Sequence, residues 1–363
     1  MQKKNTSLLS TTIKVPVGKL TIGGNQPIRI QSMCSTRTHD LNRTIKQIHV
    51  LERAGCEIIR VSVPDAESVR ALRKIKRAIA IPLVADIHFD HRLAVAAVKQ
   101  GVDKIRINPG TIGSDRNVRD VISACRDHGV TVRIGVNAGS LKFLKTGQAW
   151  NTLKPEQRAR HMVAEAGEYC SFCERMNFKQ IVVSLKAADI ETTVAAYRMM
   201  HRQSRYPLHL GITEAGSLIP GIVKSTLGLG KLLSEGIGDT IRISLTADPL
   251  YEVKTGWALM QALKLRFRGP EIISCPTCSR CSIDLIKTVE QLETMIDRKL
   301  ERGEKIKVKK LAVMGCVVNG PGEAKDADIG IAGGKNTGLL FKKGKPVRRV
   351  PVKRWIHEIM KEL

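Results

Sequence analysis

The chain has 363 residues, 42% of them hydrophobic and only 4% aromatic, and its 60 Lys plus Arg against 34 Asp plus Glu give a net charge of +26. This length suits one large and one small globular domain, and a field of that sign draws anionic ligands and acidic proteins. So few aromatics leave few platforms for stacked bases, and no apolar run approaches the roughly 20 residues of a membrane span. Met1-Gln2-Lys3-Lys4-Asn5 leads into Ser and Thr instead of an apolar signal core, so the expectations are no nucleic acid, no membrane and a cytoplasmic location.

From about residue 27, a short β-branched run, a polar or glycine break and a helical pattern recur eight times. The runs cover 27–33, 57–63, 82–88, 103–108, 131–137, 180–186, 207–214 and 240–245. Helices are predicted over 41–54, 65–78, 90–100, 115–128, 155–177, 189–204, 219–235 and 249–264. Such strict βα alternation predicts a closed (β/α)8 TIM barrel, with a doubly wound sheet as the alternative.

Four of the runs carry an Arg followed two residues later by a small or polar group: Arg60/Ser62, Arg106/Asn108, Arg133/Gly135 with Asn137 beyond, and Arg242/Ser244. Residues two apart share a strand face, and an Arg inside a barrel is costly unless it meets an anion or a carboxylate. Structural pairing with Asp86, Glu214 or Asp103 is the plain reading of any one of them. At the strand C-terminal ends, where barrel enzymes place their chemistry, stand Asp86, His88, Asn108, Asn137, Lys186, Glu214 and Ser244. Cations and amide donors around one mouth can hold a diphosphate.

The nine cysteines are an odd number, which speaks for thiols or metal ligation over a disulfide framework. Cys34, Cys56 and Cys125 stand alone and read as core or surface thiols. Cys170 and Cys173 have the C-x-x-C spacing but lie inside a helical pattern with no Gly or Pro to turn the chain, so they read as incidental. The pattern changes at Arg266-Phe267-Arg268-Gly269-Pro270, which divides the chain into a barrel at 1–268 and a small α+β domain at 269–363. In the latter we predict helices near 283–300 and 351–362 and strands near 307–314, 328–332 and 338–341. A basic run follows at Lys342, Lys343, Lys345, Arg348 and Arg349.

The small domain carries Cys275-Pro276-Thr277-Cys278-Ser279-Arg280-Cys281 and, further on, Gly315-Cys316-Val317-Val318-Asn319-Gly320-Pro321-Gly322-Glu323. A Cys-Pro turn and a distant Cys in a Gly/Pro loop let thiolates converge on a metal. Three thiolates serve three irons of a [4Fe–4S] cubane, and Glu323 is the candidate for the fourth, a harder ligand than a thiolate and easier to displace. A zinc site from Cys275, Cys278, Cys281 and Cys316 is the competing reading.

Together with Val-Ala-Asp-Ile-His-Phe-Asp, Arg-Ile-Asn-Pro-Gly, Arg-Ile-Gly-Val-Asn-Ala-Gly-Ser-Leu and Leu-Gly-Ile-Thr-Glu-Ala-Gly, these motifs resemble the 4-hydroxy-3-methylbut-2-en-1-yl diphosphate synthases of the non-mevalonate isoprenoid pathway, over residues 13–340. The resemblance is to the shorter, two-domain bacterial form. It implies a TIM barrel followed by an α+β iron–sulfur domain. It also implies reductive ring opening of 2-C-methyl-D-erythritol 2,4-cyclodiphosphate to (E)-4-hydroxy-3-methylbut-2-enyl diphosphate, with electrons passed from flavodoxin or ferredoxin through a [4Fe–4S] cluster. The implied cluster ligands are Cys275, Cys278, Cys316 and Glu323. Diphosphate-binding positions fall on Arg60, Arg106, Asn108, Arg133, Asn137, Lys186 and Ser244, with Arg242 in the same pocket. Glu214 falls beside the reacting carbons, and Asp86 and His88 join the catalytic set. Cys281 departs from the family pattern.

A barrel helix runs from the catalytic face back to the bottom, so a short link after the eighth helix leaves the cluster far from its own barrel mouth. A homodimer in which each small domain caps the partner's barrel solves this, and the resemblance implies the same. The alternative from another class is a metal-bearing basic nucleic-acid-binding protein.

Overall fold

Strands buried on both faces must be apolar toward the helices outside, and the Ile- and Val-rich runs meet that demand. The computed structural model describes residues 12–108, 111–141, 144, 150–316, 322 and 325–363. It opens with a hairpin, β1 (Val15–Val17) and β2 (Leu20–Ile22), turned at Gly18 with φ +56°. Eight βα units follow. They are β3 (Arg29–Met33) with α1 (Leu41–Arg53), β4 (Ile58–Ser62) with α2 (Ala66–Ala78), β5 (Leu83–Ile87) with α3 (His91–Lys99), and β6 (Lys104–Ile107) with α4 (Asp115–Asp127). Next come β7 (Thr131–Asn137) with α5 (Pro155–Arg175), β8 (Ile181–Lys186) with α6 (Ile190–Gln203), β9 (His209–Leu210) with α7 (Leu218–Ser234), and β10 (Thr240–Ile241) with α8 (Pro249–Ala262). Each predicted barrel helix is present, its ends moved by two residues or fewer.

The eight strands are parallel in the order β8-β7-β6-β5-β4-β3-β10-β9, and a parallel bridge between Val183 and Leu208 closes the ring. The chain therefore forms a TIM barrel and not an open doubly wound sheet. The runs at 207–214 and 240–245 contribute shorter ladders than their composition suggests. Glu214, at φ +52°, turns the first one away, and the Leu245 N–H is bonded to a side chain, Glu252 Oε1 at 3.2 Å, instead of a neighbouring strand.

Asp side chains end the loops above the barrel. Asp40, Asp65 and Asp189 accept from the N–H groups of Arg43, Ser68 and Thr192 in the first turns of α1, α2 and α6. Capping of this kind sets where each βα loop stops, and so where the strand-end side chains above it point.

Sequence reading gave no role to the hairpin. Its Val15, Val17 and Ile22 pack on Ile58, Val84 and Val182, the lowest inward side chains of β4, β5 and β8. Thr131 Oγ1 donates to Pro16 O, and Thr12 Oγ1 donates to Asp239 Oδ1 at 2.7 Å, so the hairpin is tied down as well as packed.

The chain divides into two compact units, Met1–Leu259 and Met260–Leu363, so the division falls inside α8. The second unit holds β11 (Glu271–Ser274), α9 (Leu285–Glu301), β12 (Lys310–Met314), β13 (Ile329–Gly333), β14 (Thr337–Lys342), β15 (Lys345–Pro351) and a final helix, α10 (Trp355–Glu362). β11, β12 and β13 are parallel, whereas β14 and β15 add antiparallel strands at one edge. One face is covered by α9 and α10 through Leu285, Leu292, Ile296, Trp355 and Ile359, packed on Leu311, Val313, Ile331 and Leu340. β11 and β15 had no predicted counterpart. β15 is hidden in sequence by its Lys, Arg and Pro residues, which suit an edge strand that must not pair with another molecule.

Candidate active site

A parallel strand presents every second residue to the barrel axis, and in this chain those inward positions are polar well below the mouth. Lys104 and His209 are fully buried, and Arg133 is 1% exposed. Above them opens a cavity of about 250 Å³, lined by Met33, Arg60, Asp86, His88, Arg106, Arg133, Asn137, Ser184, Lys186, Thr213, Arg242 and Ser244.

Two carboxylates serve this cationic wall. Asp86 lies 3.7 Å from Arg60 Nε and 3.3 Å from Arg106 Nη1, and it also accepts from His88 Nε2 at 3.3 Å. Arg106 Nη1 meets His88 Nδ1 at 3.3 Å. A guanidinium only donates, so Nδ1 is the acceptor and the imidazole proton sits on Nε2. Burial alone would push the Asp86 carboxyl up, but Arg60, His88, Arg106 and Arg133 together hold it well below the usual carboxylate range. Glu252, from the first turn of α8, pairs with Arg242 at 3.2 Å and accepts from Ser32 Oγ at 2.8 Å.

Among the described residues, neither Arg133 nor Lys186 has an ion pair with a carboxylate, and Asp86 acts on Arg133 only at longer range. Arg133 Nε and Nη1 are buried without a hydrogen bond among the described residues. Burial, followed by Arg133, Arg60, Arg242 and Arg106, holds the Lys186 ammonium well below its ordinary value. Buried cations left without a carboxylate prepare a site for an anion, because the ligand then supplies the missing counter-charge.

In the second unit, β11 and β12 are parallel with Ser274 opposite Val313, so Cys275 and the Gly315-Cys316 pair leave neighbouring strands at the same end. The Gly315 N–H points at Cys275 Sγ, 3.5 Å away. The backbone N–H of Arg280 holds the exposed Cys278 thiol below its ordinary range. Thiols gathered at one end of a parallel sheet, with amides aimed at sulfur, have the chemistry an iron–sulfur cluster takes. Among the described residues, no three His, Cys, Asp or Glu side chains already stand close enough together to hold an ion. Cys281 donates to Ile283 O at 3.4 Å and packs against the apolar core. Glu323 lies outside the described residues.

Residues 12–257 match the GcpE TIM-barrel domain family, and residues 271–363 match the GcpE protein C-terminal domain family. A 4-hydroxy-3-methylbut-2-en-1-yl diphosphate synthase (flavodoxin) of Caldanaerobacter subterraneus is 48% identical over 352 residues, 97% of this chain and 96% of that one. The chain belongs to the GcpE family. A second GcpE relative, from Geobacillus thermodenitrificans and of the same name, is 50% identical over 98% of this chain and 92% of its own length. Among solved structures, a dihydropteroate synthase of Coxiella burnetii aligns with a TM-score of 0.51 at 11% identity, covering 70% of this chain and 99% of its own. That likeness speaks for fold alone. GcpE membership supports the enzyme reading over the nucleic-acid alternative.

Of the barrel residues expected in the GcpE site, Arg60, Asp86, His88, Arg106, Arg133, Asn137, Lys186, Arg242 and Ser244 line the one cavity. Asn108 and Glu214 do not. Asn108 is buried at the exit of β6 and donates to Ser140 Oγ at 2.7 Å, and Glu214 is exposed in the turn after β9. Sequence reading missed Met33, Ser184, Thr213 and Glu252. Strand parity from Lys186 could have found Ser184, whereas Thr213, adjacent to Glu214, falls on the opposite strand face, and Met33 shares its strand with no expected site residue. Glu252 sits on a helix, and only the packing of α8 on β10 brings it to Arg242.

Proposed function

We propose that this chain opens the ring of 2-C-methyl-D-erythritol 2,4-cyclodiphosphate reductively, giving (E)-4-hydroxy-3-methylbut-2-enyl diphosphate for isoprenoid synthesis. The observation that carries this reading is the pair of buried cations Arg133 and Lys186, neither with an ion-pair partner among the described residues, in a cavity of about 250 Å³. The conversion consumes two electrons and two protons and releases one oxygen as water.

Arg106, Arg133 and Lys186 bind the diphosphate, with Asn137 and Ser244 donating to its remaining oxygens; Asn108 supports the loop beside them. Charge held on these groups makes the diphosphate oxygen a better leaving group from the ring carbon, and their fixed placement orients the reacting carbons. Arg60 and Arg242, already paired with Asp86 and Glu252, keep the wall rigid. His88 and Asp86 hold Arg106 at the angle the diphosphate needs. Glu214, next to the lining residue Thr213, works from the rim on the reacting carbons. A [4Fe–4S] cluster held by Cys275, Cys278, Cys316 and Glu323 supplies the two electrons when bound. Flavodoxin, which the relatives' names carry, suits a surface of net charge +26 as donor if it is acidic. We place the reaction in the cytoplasm, consistent with the absence, among the described residues, of a helix long and apolar enough to cross a membrane.

We further propose a homodimer in which each barrel is served by the partner's cluster domain, with the functional boundary at 268/269. Connectivity supports this. α8 has 14 residues, about 21 Å of travel away from the mouth. It is closed by Lys264 at φ +55° and by the Leu265 N–H on Met260 O at 2.9 Å, which leaves 266–270 as the link to β11.

Anaerobic turnover of the cyclodiphosphate, with iron content measured alongside, tests the reading. Arg133→Ala should lose most activity with its iron retained, and Glu323→Ala should lose activity with altered cluster content. Native turnover in both variants would overturn it.

A further inference from the structure

We propose that Gly135 and Gly211 are positioning residues of the diphosphate site: each leaves open the volume its Cβ would fill, and Arg106 and Lys186 occupy that volume. This rests on reading the cavity as a diphosphate clamp. Gly135 lies in β7 opposite Ser184 of β8, and Gly211 follows β9, so at these two points the barrel wall presents no side chain, between lining residues such as Arg133, Ser184 and Lys186. The arc formed by β3 to β6 carries Met33, Arg60, Asp86 and Arg106.

The distances are too short for any Cβ. On Gly135 it would stand 2.5 Å from Arg106 Nε and 3.3 Å from Cζ and Nη2. That guanidinium is tied at three points, to Asp86 Oδ1 (3.3 Å), His88 Nδ1 (3.3 Å) and Gly135 O (3.2 Å). On Gly211 a Cβ would stand 2.6 Å from Lys186 Nζ, and 3.0 Å from Lys186 Cε and from Arg242 O.

Backbone shape does not explain either glycine, since neither has a left-handed φ. Glycine inside a strand weakens it and marks a close approach, and alanine would cut the entropy of the unfolded chain. The close approach is the cation's. Because Lys186 Nζ is the end of a flexible chain, Gly211→Ala should fold with the ammonium displaced. Gly135→Ala should instead break the three ties of Arg106.

The test titrates inorganic pyrophosphate into the full-length holoenzyme by calorimetry. Loss of one charge-assisted contact should weaken binding about tenfold or more in Lys186→Met. Gly211→Ala should match that loss, and the double variant should bind no more weakly than Lys186→Met alone. Gly167→Ala, where a Cβ meets nothing within 4 Å, should bind as the native chain does. Native affinity in Gly211→Ala beside a weakened Lys186→Met, or additive losses in the double variant, would overturn the positioning role. Native affinity in Lys186→Met would instead overturn the diphosphate reading beneath it. If Gly211→Ala melts below the native chain, the same cycle with Gly135→Ala and Arg106→Met decides by the same two criteria.

Discussion

At the scale of single residues, the site is a problem of charge left over. Asp86 answers Arg60 and Arg106, and Glu252 answers Arg242, but among the described residues Arg133 and Lys186 have no ion-pair partner. A consequence for pH follows from Lys186, whose ammonium is disfavoured by burial and by its Arg neighbours. An anion stabilises the ammonium and so raises its pKa, which means that the complex holds more protons than the free protein. Binding should therefore take up protons and weaken as pH rises from the depressed free value toward the bound one. Pyrophosphate calorimetry at mildly alkaline pH, in two buffers of different ionisation enthalpy, measures the uptake. We expect it to be larger in the native chain than in Lys186→Met; equal uptake would remove Lys186 from this account.

Among the elements, the β1–β2 hairpin has the clearest structural task. An ordinary barrel core is apolar from bottom to top, whereas here the axis carries Lys104, Arg133 and His209, and an apolar seal is confined to Ile58, Val84 and Val182 with the hairpin beneath. Ile22 is fully buried in that seal, so Ile22→Ala should cost about 2–5 kcal/mol in chemical denaturation. A loss below about 0.5 kcal/mol, the level of a surface change, would show that the hairpin is dispensable. The hairpin is legible afterward, in Val15-Pro16-Val17-Gly18-Lys19-Leu20-Thr21-Ile22. Its strands are only three residues each, too short to announce themselves beside eight long βα units.

For the whole molecule, the proposed exchange of domains between copies has a direct test. Lys186→Met damages a barrel and Cys275→Ala damages a cluster loop, and each chain alone should be inactive. Random pairing makes half of the dimers mixed, and each mixed dimer has one intact site of two, so the co-refolded or co-expressed mixture should recover about a quarter of native activity. If each barrel used its own chain's cluster, every site would carry one lesion and no activity would return.

The amino-acid sequence alone determined the barrel, the cavity's cationic character and the metal-type thiols, because those depend on periodicity and residue type within single elements. Arg60, Arg106, Arg133 and Arg242 announce themselves by strand parity, and each inward position repeats every second residue. What only the tertiary structure decided involves partners from different elements. Arg133 Nε and Nη1 stay buried without a hydrogen bond among the described residues while Glu252 crosses from α8 to answer Arg242, and Glu214, which strand position placed in the pocket, turns out of it at φ +52°. Gly135 and Gly211 look in sequence like breaks in a strand, and only the closed ring shows what stands in the space they leave.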